Sequence, residues 1–135
     1  MTLMEHTAGD LMTKDLVTVD PDETLRAAAA MMSRGHLHCL IVLPADPRRA
    51  LGVITMKDIV QVLCEGDETM VDRLRVRDVM SDPAICVQRD AILLDCVRLM
   101  RTWGIRAAPV LAGTTPVGLL SFSDVLRHLS AAAAG

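Results

Sequence analysis

A chain of 135 residues with 51% hydrophobic content and a net charge of -3 is long enough to bury a core and carries no general attraction for nucleic acid. Trp103 and Phe122 are its only aromatic side chains, so no platform for stacking bases exists. A membrane span needs roughly 20 uninterrupted apolar residues, but Arg26 and Arg34 bracket the run Ala27 to Met32, and Arg98 and Arg101 interrupt a later one.

The N-terminus, Met1-Thr2-Leu3-Met4-Glu5-His6, lacks a basic stretch followed by an apolar one, so no secretory signal is read and a cytoplasmic protein is expected. From Asp10 to Met12 a helical turn is predicted, and from Leu16 to Val19 a short strand ended by Asp20-Pro21. Thr24 or Asp22 can then cap a helix whose apolar positions Leu25, Ala28, Ala29 and Met32 recur at helical spacing, with Gly35 placed to stop it. Leu37 to Leu43 and Leu51 to Ile54 read as strands, the second opening into a helix from Met56 to Cys64. Residues 65–73 are polar enough for a linker with a helical turn.

After the linker the pattern repeats. Asp10-Leu11-Met12-Thr13 returns as Asp78-Val79-Met80-Ser81, Leu40-Ile41-Val42-Leu43 as Ala108-Pro109-Val110-Leu111, and Gly52-Val53-Ile54-Thr55-Met56-Lys57-Asp58 as Gly118-Leu119-Leu120-Ser121-Phe122-Ser123-Asp124. The first two blocks are offset by 68 residues and the third by 66, so only the loop between changed length. That loop is Pro44-Ala45-Asp46-Pro47-Arg48-Arg49 in one copy and Ala112-Gly113-Thr114-Thr115-Pro116 in the other, both rich in turn formers. Ile85 to Val87, Ala91 to Trp103, Ile105 to Leu111, Val117 to Leu120 and Phe122 to Leu129 take the matching strand and helix places, and Ala131 to Gly135 continues the last helix. An internal repeat of this kind predicts two copies of one α/β unit that fold together around a shared core.

Chemistry concentrates where the third strand of each copy meets its last helix. Thr55 and Ser121 stand at helix N-caps, with Asp58 and Asp124 three residues on. The N–H groups and dipole of a helix start suit an anion such as phosphate, a hydroxyl can donate to it, and a carboxylate accepts from ribose hydroxyls. A hydroxyl cap followed by an acid is also a variant capping box that needs no ligand. Recurrence of the glycine, hydroxyl and acid in both copies favours a ligand site.

These residues resemble the paired CBS domains, named for cystathionine β-synthase, in which each copy carries Gly-h-x-Thr/Ser-x-x-Asp/Asn, with h apolar. Asp10-Leu11-Met12-Thr13 with Thr18-Val19, Met100 with Gly104-Ile105, and Pro109-Val110-Leu111 extend the likeness over about Ala8 to Ser130. The resemblance implies two pseudo-symmetric β-α-β-β-α repeats packed as one module, with bounds 8–64 and 75–130 around a 65–74 linker.

It further implies a regulatory module with no cofactor and no catalysis, binding AMP, ADP, ATP, NAD or S-adenosylmethionine in clefts between the repeats and modulating a partner protein. Carried over, Asp58 and Asp124 hold ribose, Thr55 and Ser121 contact ribose or phosphate, and backbone at Thr18-Val19 and Cys86-Val87 recognises adenine. His38 takes the place of a phosphate-binding His in some members, and Arg106 stands there in the second copy. Lys57 adds positive charge, favouring a more highly phosphorylated ligand at Asp58. Homodimers paired through helices are common in that family, and ligand-independent scaffolding is the alternative function.

Blander roles cover the remaining candidates. His36 and His38 would share a strand face, but no third ligand completes a metal set. Cys86 and Cys96 sit in apolar settings as small buried thiols, Met31, Met32, Met80 and Met100 read as core filling, and His6 and His128 as surface residues. No nucleophile has a base in context and no phosphate loop appears.

Overall fold

The computed structural model describes residues 2–46 and 48–134. In chain order the elements are α1 (Ala8–Leu11), β1 (Thr18–Val19), α2 (Leu25–Gly35), β2 (Cys39–Val42), β3 (Gly52–Thr55), α3 (Met56–Glu65), α4 (Met70–Arg73), α5 (Val76–Val79), β4 (Val87–Gln88), α6 (Leu93–Thr102), β5 (Ala107–Ala112), β6 (Thr115–Ser121) and α7 (Phe122–Ala134). The last helix thus runs through the alanine tail to Ala134; Pro47 of the first loop and Gly135 lie outside the described residues. Among the described residues, no helix is long and apolar enough to cross a membrane.

Two compact units emerge, and their limits do not coincide with the repeats. One is Val17–Ala84; the other joins the segment through Leu16 to everything from Ile85 onward. Each builds a three-stranded sheet in the same way, β1-β2-β3 in one and β4-β5-β6 in the other, with a parallel first pair and an antiparallel second pair.

The units are completed by exchanged opening segments. Thr7 bridges to Ile92 and Thr13 to Leu119, so the α1 segment belongs to the sheet of the second repeat. Sixty-eight residues later Arg75 bridges to Thr24 and Ser81 to Val53, so the α5 segment belongs to the first. Both closing bridges are paired backbone bonds: Thr13 and Leu119 exchange N–H···O contacts of 2.8 and 2.9 Å, and Ser81 and Val53 contacts of 2.9 and 3.0 Å. The approach explains the repeated glycine. A Cβ on Gly118 would lie 2.9 Å from the Thr13 carbonyl oxygen, and one on Gly52 would lie 3.1 Å from that of Ser81.

Instead of one shared core there are two apolar clusters. Leu25, Ala28 and Met32 turn one face of α2 onto Leu40, Val42 and Ile54 in the first unit. Leu93, Cys96 and Met100, at the same i, i+3, i+7 spacing on α6, meet Ala108, Val110 and Leu120 in the second. The reason is that each small sheet has helices and an exchanged segment of its own to cover it, with Ala8 and Val76 buried at the same place in each.

Several boundaries shift from the sequence reading. Thr24 does cap α2, accepting from Ala27 N–H at 3.1 Å, but the helix stops on His36 in the left-handed region (φ 53°) rather than on Gly35. The matched residue in the second copy is Gly104 at φ 66°, where the conformation costs little. β2 begins only at Cys39, so His36 and His38 do not share a strand face. β4 begins at Val87, later than expected, because Pro109 has no N–H; its counterpart Ile41 donates to the Val17 carbonyl at 3.0 Å and holds β1 one residue earlier. His6 is buried rather than a surface residue, edge-on to His128 with ring centroids 4.6 Å apart.

Glycine at position 36 relieves the left-handed strain, so His36→Gly is expected to stabilise the chain by about 1 kcal/mol in denaturant unfolding; an equal loss would contradict the backbone assignment. Burial of Cys39 beside that turn pushes its thiol up to about 11. The unfolded chain therefore ionises it first. Stability is expected to fall as pH rises between about 9 and 11, and Cys39→Ala to flatten that slope.

Candidate functional site

The β3–α3 and β6–α7 junctions carry the repeated motif, and both are built as capping boxes. Thr55 closes β3 in extended conformation (φ -118°, ψ 163°) and caps α3: its Oγ1 accepts from Asp58 N–H at 3.2 Å, and its own N–H donates to Asp58 Oδ2 at 2.8 Å. At the second junction Asp124 N–H donates to Ser121 Oγ at 3.2 Å and Ser121 N–H to Asp124 Oδ2 at 2.8 Å. The ligand-free role of the motif is therefore real. It engages only one oxygen of each carboxylate.

The other oxygen differs between the copies. Asp124 Oδ1 accepts from Thr13 Oγ1 and from Arg127 Nη2, both at 3.1 Å, while Ser121 Oγ also donates to Oδ2 at 2.9 Å. Asp124 is 5% exposed. Asp58 is half-buried, and its Oδ1 has no partner among the described residues. Thr55, unlike Ser121, leaves its hydroxyl hydrogen uncommitted among the described residues. Sequence reasoning placed neither Thr13 nor Arg127 at the site, although Thr13 closes a repeated block. The available signal was the i, i+3 spacing of Asp124 and Arg127 on one helix face, against Gln61 at the matched place.

The match of His38 with Arg106 is visible in the backbone. The His38 carbonyl accepts from Met56 N–H at 2.9 Å, and the Arg106 carbonyl accepts from Phe122 N–H at 3.0 Å, so each precedes its central strand beside the start of the motif helix. Both side chains are exposed. His38 Nδ1 lies 3.0 Å from Met56 Sδ, leaving Nε2 as the nitrogen with no partner among the described residues. Lys57, in the first turn of α3, is exposed and forms no ion pair among those residues.

Thr18 lies opposite Ile41 and Cys39 opposite Thr55, so β1 approaches the junction from across β2. Thr18 is exposed and Val19 buried; in the second unit Cys86 is half-buried and Val87 buried against Val110. Burial raises the Cys86 thiol, keeping it neutral rather than nucleophilic. A largely apolar cavity of about 520 Å³ opens beside the same end of the first unit, lined by His36, Leu37, His38, Met56, Ile59 and Val60. It reaches the motif through His38 and Met56, and neither Thr55 nor Asp58 lines it.

The family model for the CBS domain matches residues 8–65 and again 76–131. An uncharacterized protein of Methanopyrus kandleri is 31% identical over 121 residues, covering 88% of this chain; the chain spans only 60% of that relative's length. A hexameric CBS-CP12 protein from bloom-forming cyanobacteria has a similar structure at a TM-score of 0.83 and 32% identity, covering 89% of this chain and 69% of that one. The structure of CBSX2 in complex with AMP is similar at a TM-score of 0.75 and 25% identity, covering 92% of this chain and 96% of that one. With its two matched segments, two matched sheets and repeated junction, the chain belongs to the CBS-domain family as a tandem pair.

Proposed function

We propose that this chain is a regulatory module of the cytoplasm that binds an adenosine-containing ligand and modulates a partner protein. The observation that carries the reading is the open oxygen of Asp58: the capping box fixes the carboxylate through Oδ2 and leaves Oδ1 to accept from ribose. Around it stand groups suited to the rest of a nucleotide. The Thr55 hydroxyl is free to donate, the start of α3 presents N–H groups and the positive end of its dipole, and His38 and Lys57 are exposed for phosphate. Backbone at Thr18-Val19 is left for adenine. The AMP held by CBSX2, a relative at 25% identity, supports this ligand class. No catalytic step is proposed.

Scaffolding is the second reading, because apolar side chains remain exposed on the motif helices. Met56, Val60 and Leu63 recur at i, i+4, i+7 on α3, and Leu126 and Leu129 at i, i+3 on α7. We propose that these faces pair two copies into a homodimer. Ligand occupancy would then reach a partner as an altered preference between two packings of the pair, which requires unequal affinity for them.

Thermal unfolding against AMP, ADP, ATP, NAD and S-adenosylmethionine tests the sensor reading. A ligand at 100 times its dissociation constant stabilises the folded chain by about 2.7 kcal/mol. Asp58→Asn, which keeps an acceptor for Thr55 N–H, is expected to weaken binding about tenfold or more, and Lys57→Ala to weaken ATP more than AMP. No shift with any of the five in folded protein would favour the scaffold.

A further inference from the structure

We infer that the pair binds its adenosine ligand at one motif only, the one containing Asp58, because Thr13, Ser121 and Arg127 close the Asp124 motif from within. The inference rests on the proposed function and deepens it. A carboxylate offers about four acceptor sites. At Asp124 all are engaged: Ser121 N–H and Ser121 Oγ on Oδ2, Thr13 Oγ1 and Arg127 Nη2 on Oδ1. Ribose hydroxyls would have to displace Thr13 or the guanidinium from an acid whose side chain is 3% exposed. The Ser121 hydroxyl hydrogen is spent on the same group, so the hydroxyl and the acid that make the motif a ligand site are both consumed.

The matched positions show why the first motif stays open. Ser81 stands where Thr13 does and is held to Val53 as Thr13 is to Leu119, yet its hydroxyl makes no hydrogen bond to Asp58. Gln61 stands where Arg127 does and donates to Glu65 Oε1 at 2.9 Å, away from the motif. Thr55 accepts from Asp58 N–H without donating to its carboxylate. Among the described residues the Asp58 carboxylate therefore has no ion-pair partner and no donor on Oδ1, whereas that of Asp124 is paired with Arg127. Arg127 and Thr13 are occupancy-determining residues that never touch the ligand.

Calorimetric titration of the full chain with AMP reads this directly. One AMP per chain is expected, with affinity falling about tenfold or more in Asp58→Asn and unchanged in Asp124→Asn, whose unfolding temperature drops instead. Arg127→Gln, which gives the second motif the residue of the first, is expected to add a second, weaker site; its absence would overturn the role of Arg127. Two equivalent sites in the unaltered chain, or binding lost in folded Asp124→Asn, would overturn the single-site inference and leave the proposed function standing. No binding of AMP, ADP, ATP, NAD or S-adenosylmethionine by the folded, unaltered chain would overturn both.

Discussion

The strand-to-helix junction depends on one hydrogen bond, from a backbone N–H at the end of the third strand to a carboxylate three residues into the next helix. It satisfies a donor that would be orphaned where the sheet ends and favours negative charge at the positive end of the helix dipole. Its effect is to hold the acid in place before any ligand arrives. The second closure is the bridge that locks each opening segment against the third strand, with Gly52 and Gly118 as the points of contact. Because these segments are exchanged between the repeats, neither repeat is completed by its own contiguous sequence.

From that shared framework the two copies diverge through very few atoms. Arg127 in place of Gln61, Thr13 in place of Ser81 and Ser121 in place of Thr55 turn an acid with a vacant oxygen into an acid with none. The exposed ion pairs elsewhere, such as Arg26 with Asp72, belong to solvated surfaces and contribute little. The Arg127–Asp124 pair differs because the carboxylate is buried while the guanidinium remains in solvent, so the protein gains a neutralised acid without burying the cation.

Much of this was legible in the sequence because repeats register against each other. The 68-residue offset matched Arg106 with His38, and the paired carbonyl bonds to Phe122 and Met56 have that same correspondence. The i, i+3, i+7 spacing of Leu25, Ala28 and Met32 identified a buried helix face. What periodicity does not encode is which sheet a short segment joins, so the exchange of residues 7–13 and 75–81 was invisible. Gly35 misled because glycine is the usual left-handed stop, whereas the chain places His36 there. The consumption of Asp124 was missed since it depends on Thr13, 111 residues away, and on the direction in which one arginine lies.

Amide chemical shifts followed during titration with AMP test the central claim, that one motif is open and the other closed. The account predicts saturable movement of the Thr55 to Asp58 amides and of His38, with the Ser121 to Arg127 amides still. Movement of both junctions with the same midpoint, or of the Asp124 junction alone, would contradict it.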